Sequence, residues 1–242
     1  MTTSRWSASA PVRGVQAVPT LPADLKSRFL HGLTGSDLKV VLAASKTRRA
    51  PANSVLINQG DPAEYFFLLT KGCARHFSIT EEGRKVLLLW FAAGDVVGGA
   101  AVLQDPSHYL LSTEIVEDST MQVWRRSEIR GLIARYPKLQ ENSLSIASDY
   151  LAWFHASHLA LISHTARERL ARVLTSLAQG IGHKVPGGLK LHLTNEELAN
   201  AANVTAFTVS RLLSEWQRNG AVSKGRGSIV LRAPDRLFLH PV

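Results

Sequence analysis

The chain has 242 residues, enough for one large domain or two small ones, and its 45% hydrophobic and 19% charged residues exclude a disordered polymer. With 28 Lys and Arg against 19 Asp and Glu the formal charge is +9, which points to a polyanionic partner, nucleic acid ahead of an anionic membrane surface. One cysteine, Cys73, excludes an internal disulfide framework, a Cys-based zinc site and a four-Cys iron–sulfur cluster, and fits a reducing compartment.

Residues 1–22, rich in Ser and Pro with Arg5 and Arg13, read as a flexible tail without the apolar core of a signal peptide. The longest apolar run, Val86 to Ala93, is far short of the roughly 20 residues of a membrane helix. A soluble cytoplasmic protein is expected. Ala23 to Lys46 carries short helical signals at Leu25, Phe29 and Leu30, then at Leu38, Val41 and Leu42. From Thr47 the period falls to two. Strands are predicted at 54–57, 64–70, 74–79, 85–91, 108–116 and 119–124, with turns at Gly60-Asp61-Pro62, Lys71-Gly72, Glu81-Glu82-Gly83 and Gly94-Asp95. Short strands with closely spaced turns predict an all-β sandwich or barrel.

Ser127 is placed to cap a short helix ending before Pro137. A long helix over about 138–163 carries two stripes. Leu144, Ala147, Leu151, Phe154, His158 and Leu161 form a heptad seam, read as a homodimer interface. Ile146, Tyr150, Trp153, Ser157 and Ala160 form a second stripe, leaving one face for the barrel and one for a partner. Thr165-Ala-Arg-Glu168 is a capping box opening a helix to Ala178, and Thr194-Asn-Glu-Glu197 is another, with a break over Asn200 to Val204. Thr205 caps a third helix to about Arg218, and Ala221 to Arg232 reads as a hairpin with Gly225 and Gly227 at its centre.

Two short helices joined by a tight turn are the helix-turn-helix pattern. In the second helix Val209, Leu212, Leu213 and Trp216 make the buried stripe, while Phe207, Arg211, Ser214 and Arg218 lie opposite and Glu215 lies between the faces. The helix start offers N–H groups, with Thr205 and Thr208 hydroxyls, to phosphates, and the arginine fork suits a guanine edge. Lys224 and Arg226 on the glycine-rich tip fit a wing on the sugar-phosphate backbone. Thr194, Asn195, Ala206 and Ser210 complete the candidate DNA contacts. Residues 165–242 hold 11 Lys and Arg and 5 Asp and Glu, so the smaller part carries most of the excess charge.

The segments LINQGDPAEYFFLLTKG, EEGRKVLLLWFAAGDVVG and LTNEELANAANVTAFTVSRLLSEWQRNGAV resemble the Crp–Fnr family of bacterial transcription regulators, over nearly the whole chain from about residue 25. The resemblance implies an α+β protein: a cyclic-nucleotide-binding-type jelly roll over 23–136, a dimerisation helix and hinge over 137–164, and a winged helix-turn-helix over 165–242. It implies double-stranded DNA as partner, a homodimer on a two-fold operator, contact with RNA polymerase and an unidentified small-molecule effector. Two departures matter. Nucleotide-binding members hold the phosphate on a Gly-Glu turn and a later Arg-Ser or Arg-Thr pair. Here the candidate effector pocket reads Gly98, Gly99 and Ala100, then Leu110, Leu111 and Ser112, with neither carboxylate nor guanidinium. That weighs against a cyclic nucleotide, because leucine leaves a phosphate unpaired. In the recognition helix, similar proteins carry Arg-Glu where Ala206 and Phe207 stand, while Arg211 is kept.

No cofactor is expected. Cys73 and His76, three apart on a strand, point to opposite faces. His155 and His158 share a helix face, but such pairs are mostly surface polarity, so haem or metal ligation is not expected. A metal-binding cupin enzyme needs closely spaced histidines with a carboxylate, and no His-x-His, nucleophile elbow, phosphate loop or paired-carboxylate motif occurs. The other reading left open is a small-molecule sensor whose winged helix binds a protein.

Overall fold

The computed structural model describes Pro19 and residues 21–81, 83, 85–103, 108–225 and 227–238. Most of the expected tail over 1–22, Glu82 of the expected turn and Arg226 of the wing lie outside them. The chain divides into two compact units: residues 1–74 with 93–143, and residues 75–92 with 144–242. The strands expected to form one barrel are thus shared between the units.

The first unit is built on antiparallel strands. Helix α1 (Gly35–Ala43) starts at Thr34, whose hydroxyl accepts from the Asp37 N–H. Leu25, Phe29 and Leu30, expected on a helix, lie instead in turns and coil. Phe29 is pulled into the core, its ring 4.8 Å from that of Phe66 and 6.3 Å from that of Trp124. The Trp124 indole N–H donates to the Val41 carbonyl at 2.8 Å, which satisfies the one polar atom of a fully buried side chain. β1 (Lys46–Ala50) and β2 (Val55–Ile57) both pair with β6 (Ser112–Arg125), and β5 (Val96–Val97) pairs with β3 (Tyr65–Ile79). β6 thus lies between β1 and β3, while β4 (Lys85–Phe91) belongs to the second unit.

Two predicted breaks are absent. Lys71-Gly72 does not end a strand: β3 runs on as 15 residues. Gly72 takes φ 90°, and a Cβ there would lie 2.2 Å from Ser119 Oγ, so the glycine admits a close strand crossing rather than a turn. The segments 108–116 and 119–124 are likewise one strand from Ser112. His108 makes only an isolated bridge to Pro62, and Asp118 accepts from the Ala52 N–H at 2.8 Å instead of turning the chain. α2 (Arg126–Arg135) begins one residue before Ser127, so Ser127 is not its cap; Glu128 reaches back to the Arg125 N–H at 2.8 Å. α3 (Pro137–Ser163) then starts at a proline, whose missing N–H costs nothing in a first turn.

The second unit packs α4 (Ala166–Ile181), α5 (Asn195–Ala202) and α6 (Ala206–Arg218) around Leu170, Leu174, Leu198, Val209, Leu212 and Trp216. α4 outruns its expected end at Ala178. A four-stranded sheet, β7-β8-β10-β9, closes the unit. Its wing strands β9 (Val222–Gly225) and β10 (Ser228–Leu231) agree with the predicted hairpin. β7 (His183–Val185) and β8 (Gly188–Leu191) were not foreseen, although Pro186-Gly187 is a turn signal and Gly187 takes φ 81°.

Candidate nucleic-acid interface

Both capping boxes form as the spacing predicts. Thr165 accepts from the Glu168 N–H, and the Glu168 carboxylate takes the Thr165 N–H at 2.8 Å, which holds that carboxyl below the ordinary glutamate value. Thr194 and Glu197 repeat the exchange at 3.2 and 2.7 Å. Burial alone would raise the Glu197 carboxyl. The hydrogen bonds from Arg75 and from Thr194 outweigh it and hold the group low.

α5 runs three residues past its expected end at Ala199, to Ala202, and is capped by Asn203 in the left-handed conformation, φ 49°. The turn to α6 is therefore three residues, Asn203 to Thr205. Its geometry is held by Arg169, which the sequence analysis only counted among the cations of 165–242. The Arg169 guanidinium donates to the carbonyls of Ala202, Asn203 and His164 at 3.0, 3.1 and 2.7 Å. It satisfies carbonyls that the end of α5 leaves open.

α6 is capped by Thr205, whose Oγ1 accepts from the Thr208 N–H at 3.1 Å and lies 2.9 Å from the Thr208 hydroxyl. Val209, Leu212, Leu213 and Trp216 are buried as predicted, and the Trp216 indole donates to the Leu237 carbonyl at 3.1 Å. Ala206, Phe207, Ser210, Arg211 and Arg218 are exposed on α6. Phe207 is 78% exposed, so its ring belongs to no core. Glu215, the one acid of the helix, is withdrawn from that surface. It is ion-paired with Arg167 of α4, both side chains being largely buried, and Arg167 lies 5.7 Å from the centre of the Trp216 ring. Ser214 is engaged within the protein, donating to the Ser210 carbonyl at 2.8 Å and accepting from Lys224 Nζ at 3.0 Å. That bond ties Lys224 of β9 to α6. Arg226 lies outside the described residues. Thr194 and Asn195 are exposed at the start of α5.

Several of the cations counted in this part also have partners within the fold. Of the 11 cations in 165–242, Arg167 and Arg169 are bonded within the fold, and Arg236 donates to the Asn219 carbonyl at 3.0 Å.

On α3 the two stripes part as read. Ile146 is buried and Tyr150, Trp153, Ser157 and Ala160 are half-buried, with the Tyr150 ring 6.2 Å from Phe91 of β4. Leu144 and Leu151 are each 72% exposed, and Ala147, Phe154, His158 and Leu161 are also exposed.

The candidate effector residues differ in exposure and in partners. Gly98, at φ 80°, is buried against Tyr65, Phe67 and Tyr109; Gly99 and Ala100 begin a short 3-10 turn. Leu110 points out, 78% exposed, and Ser112 Oγ accepts from the Gln59 N–H at 3.0 Å. Beside them sits a residue that sequence reasoning passed over. The Tyr109 hydroxyl donates to the Tyr65 carbonyl at 2.7 Å and accepts from the Tyr65 N–H at 2.9 Å. Burial pushes that phenol up to about 12. Among the described residues no group of three or more His, Cys, Asp or Glu is placed to hold a metal ion, and no helix is long and apolar enough to cross a membrane.

Family comparison agrees with this geometry. A cyclic nucleotide-binding domain matches residues 47–136, and a Crp-like helix-turn-helix domain matches residues 168–238. The cyclic AMP receptor protein of Thermus thermophilus is 27% identical over 207 residues, 85% of this chain and 93% of its own length. The fumarate and nitrate reduction regulatory protein of Vibrio cholerae is 27% identical over 193 residues, 77% of this chain and 75% of its own. The solved structure of FixK2 from Bradyrhizobium japonicum shares the fold at TM-score 0.69 and 23% identity, over 80% of this chain and 95% of that one. The two domain matches, together with these relatives, mean that the chain belongs to the Crp–Fnr family of DNA-binding transcription regulators, proteins that are not enzymes.

Proposed function

We propose that the protein is a homodimeric regulator that reads a two-fold DNA site through α6, in the cytoplasm, and that its sensor part does not respond to a cyclic nucleotide. The observation that carries the DNA reading is the surface of α6. With Glu215 drawn into its pair with Arg167, the exposed charges of the helix are Arg211 and Arg218 alone. A cationic face beside a helix amino end suits a phosphate backbone, and the arginine fork suits a guanine edge.

The dimer reading is supported by the exposed heptad stripe of α3, Leu144, Leu151, Phe154 and Leu161, which water solvates poorly. The division of labour follows: a sensor over 23–136, a dimerisation helix over 137–164 and a DNA-binding part over 165–242. The effector reading rests on residue chemistry: no cation stands at Leu110 or Leu111 to pair with a phosphate. Selection of bound duplexes from a random pool, followed by sedimentation of the complex, tests the proposal. It predicts an enriched sequence with two inverted half-sites bound by two chains. Enrichment of nothing, or of a single unrepeated half-site, contradicts it.

A further inference from the structure

Phe207 is the large apolar side chain on the outward face of α6. Nothing in the fold accounts for it. The buried stripe is already complete with Val209, Leu212, Leu213 and Trp216, each at most 1% exposed, whereas the Phe207 ring is 78% exposed. Its exposed neighbours on the helix, Ala206, Ser210 and Arg211, make a small apolar step followed by hydroxyl and guanidinium. A phenyl ring leaves water favourably only against another apolar group. In the major groove the apolar feature that distinguishes one base from the rest is the 5-methyl group of thymine; the other readable features of the base edges are hydrogen-bond donors and acceptors. A phenyl ring offers those no partner.

We infer that Phe207 is a specificity-determining residue that reads a thymine 5-methyl group, close to the base contacted by Arg211. The inference rests on the DNA-binding role proposed above for α6. Four residues of helix advance about 6 Å, and two base-pair steps advance about 6.8 Å. The thymine therefore lies within two base pairs of the guanine that Arg211 reads.

The test uses the full chain and the duplex it selects. Three probes are compared by fluorescence anisotropy: the selected duplex, the same duplex with uracil replacing the thymine nearest the Arg211 guanine, and a scrambled duplex. Uracil removes the methyl group and no hydrogen-bonding atom. Loss of one buried methyl should weaken binding about fourfold. Phe207→Ala should bind thymine and uracil probes equally while still preferring both to the scrambled duplex. Its thermal melting should match the wild type, because an exposed ring supports no packing. A wild type indifferent to the methyl group overturns the inference and leaves DNA reading intact. So does a Phe207→Ala variant that keeps the methyl preference, or one that melts much earlier. A wild type that does not distinguish selected from scrambled DNA overturns the DNA-binding role itself, and the inference with it.

Discussion

Arg167 of α4 holds the carboxylate of Glu215, the only acid on α6, in a largely buried ion pair beside the Trp216 ring. The pair does two things. It joins α6 to the helix behind it, and it keeps a negative charge off the exposed face of α6. Removing one partner leaves the other charge buried and alone, which costs several kcal/mol, more than the pair itself stabilises.

Arg167→Met should therefore lower stability by about 3 kcal/mol and weaken DNA binding as well. Arg167→Met with Glu215→Leu should recover most of the stability, since an apolar pair of similar volume fills the site. Urea unfolding of the wild type and the two variants checks this. A double variant no more stable than Arg167→Met would mean that packing, not charge, sets the loss.

Glu197 carries a pH dependence. Its carboxyl is held below the ordinary value of 4.5, so its bonds to Arg75 and Thr194 stabilise the fold fully above about pH 4.5 and are lost as pH falls through the lowered value. Glu197→Gln should cost about 1 to 2 kcal/mol at pH 7 and progressively less as pH falls below 4.5 through the lowered value. Urea midpoints measured across that range should converge on the acid side. A constant gap would remove the ionised carboxylate from the account.

The Tyr109 hydroxyl satisfies both backbone groups of Tyr65 from a buried position. Tyr109→Phe should destabilise the protein by about 1 to 3 kcal/mol, because the Tyr65 N–H and carbonyl lose their partner. Calorimetry with cyclic AMP should give no heat of binding for the wild type, there being no cation at Leu110 or Leu111. Micromolar affinity would require a phosphate partner from another segment or a second chain.

Leu151→Glu should give monomers. Leu151 is 72% exposed in the single chain, and a carboxylate buried unpaired in a seam is costly. Sedimentation that still shows a dimer would move the seam away from α3.

The DNA-binding part was legible because its signals are local. A capping box spans four residues and a buried stripe one helix, so Thr194 to Glu197 and Val209 to Trp216 could be placed without tertiary knowledge. What escaped the reading depends on distant partners. Gly72 looks like a turn until Ser119 is seen against it. Arg169 is only one of the counted cations until the end of α5 comes to its guanidinium. Tyr109 acquires its meaning only from Tyr65, 44 residues away in the chain. The β7–β8 hairpin failed for another reason: strands of three and four residues show too little alternation to register, though Pro186-Gly187 marked the turn.

The central claim is that α6 reads DNA sequence through its exposed face, and Arg211 tests it most directly. Fluorescence anisotropy should compare wild type and Arg211→Ala on the selected duplex and on a scrambled one. A bidentate arginine–guanine pair contributes about 1 to 3 kcal/mol of discrimination, or roughly 5- to 150-fold. The account predicts that the ratio of the two affinities falls by that factor in Arg211→Ala, while affinity for the scrambled duplex changes little. An unchanged ratio would contradict it.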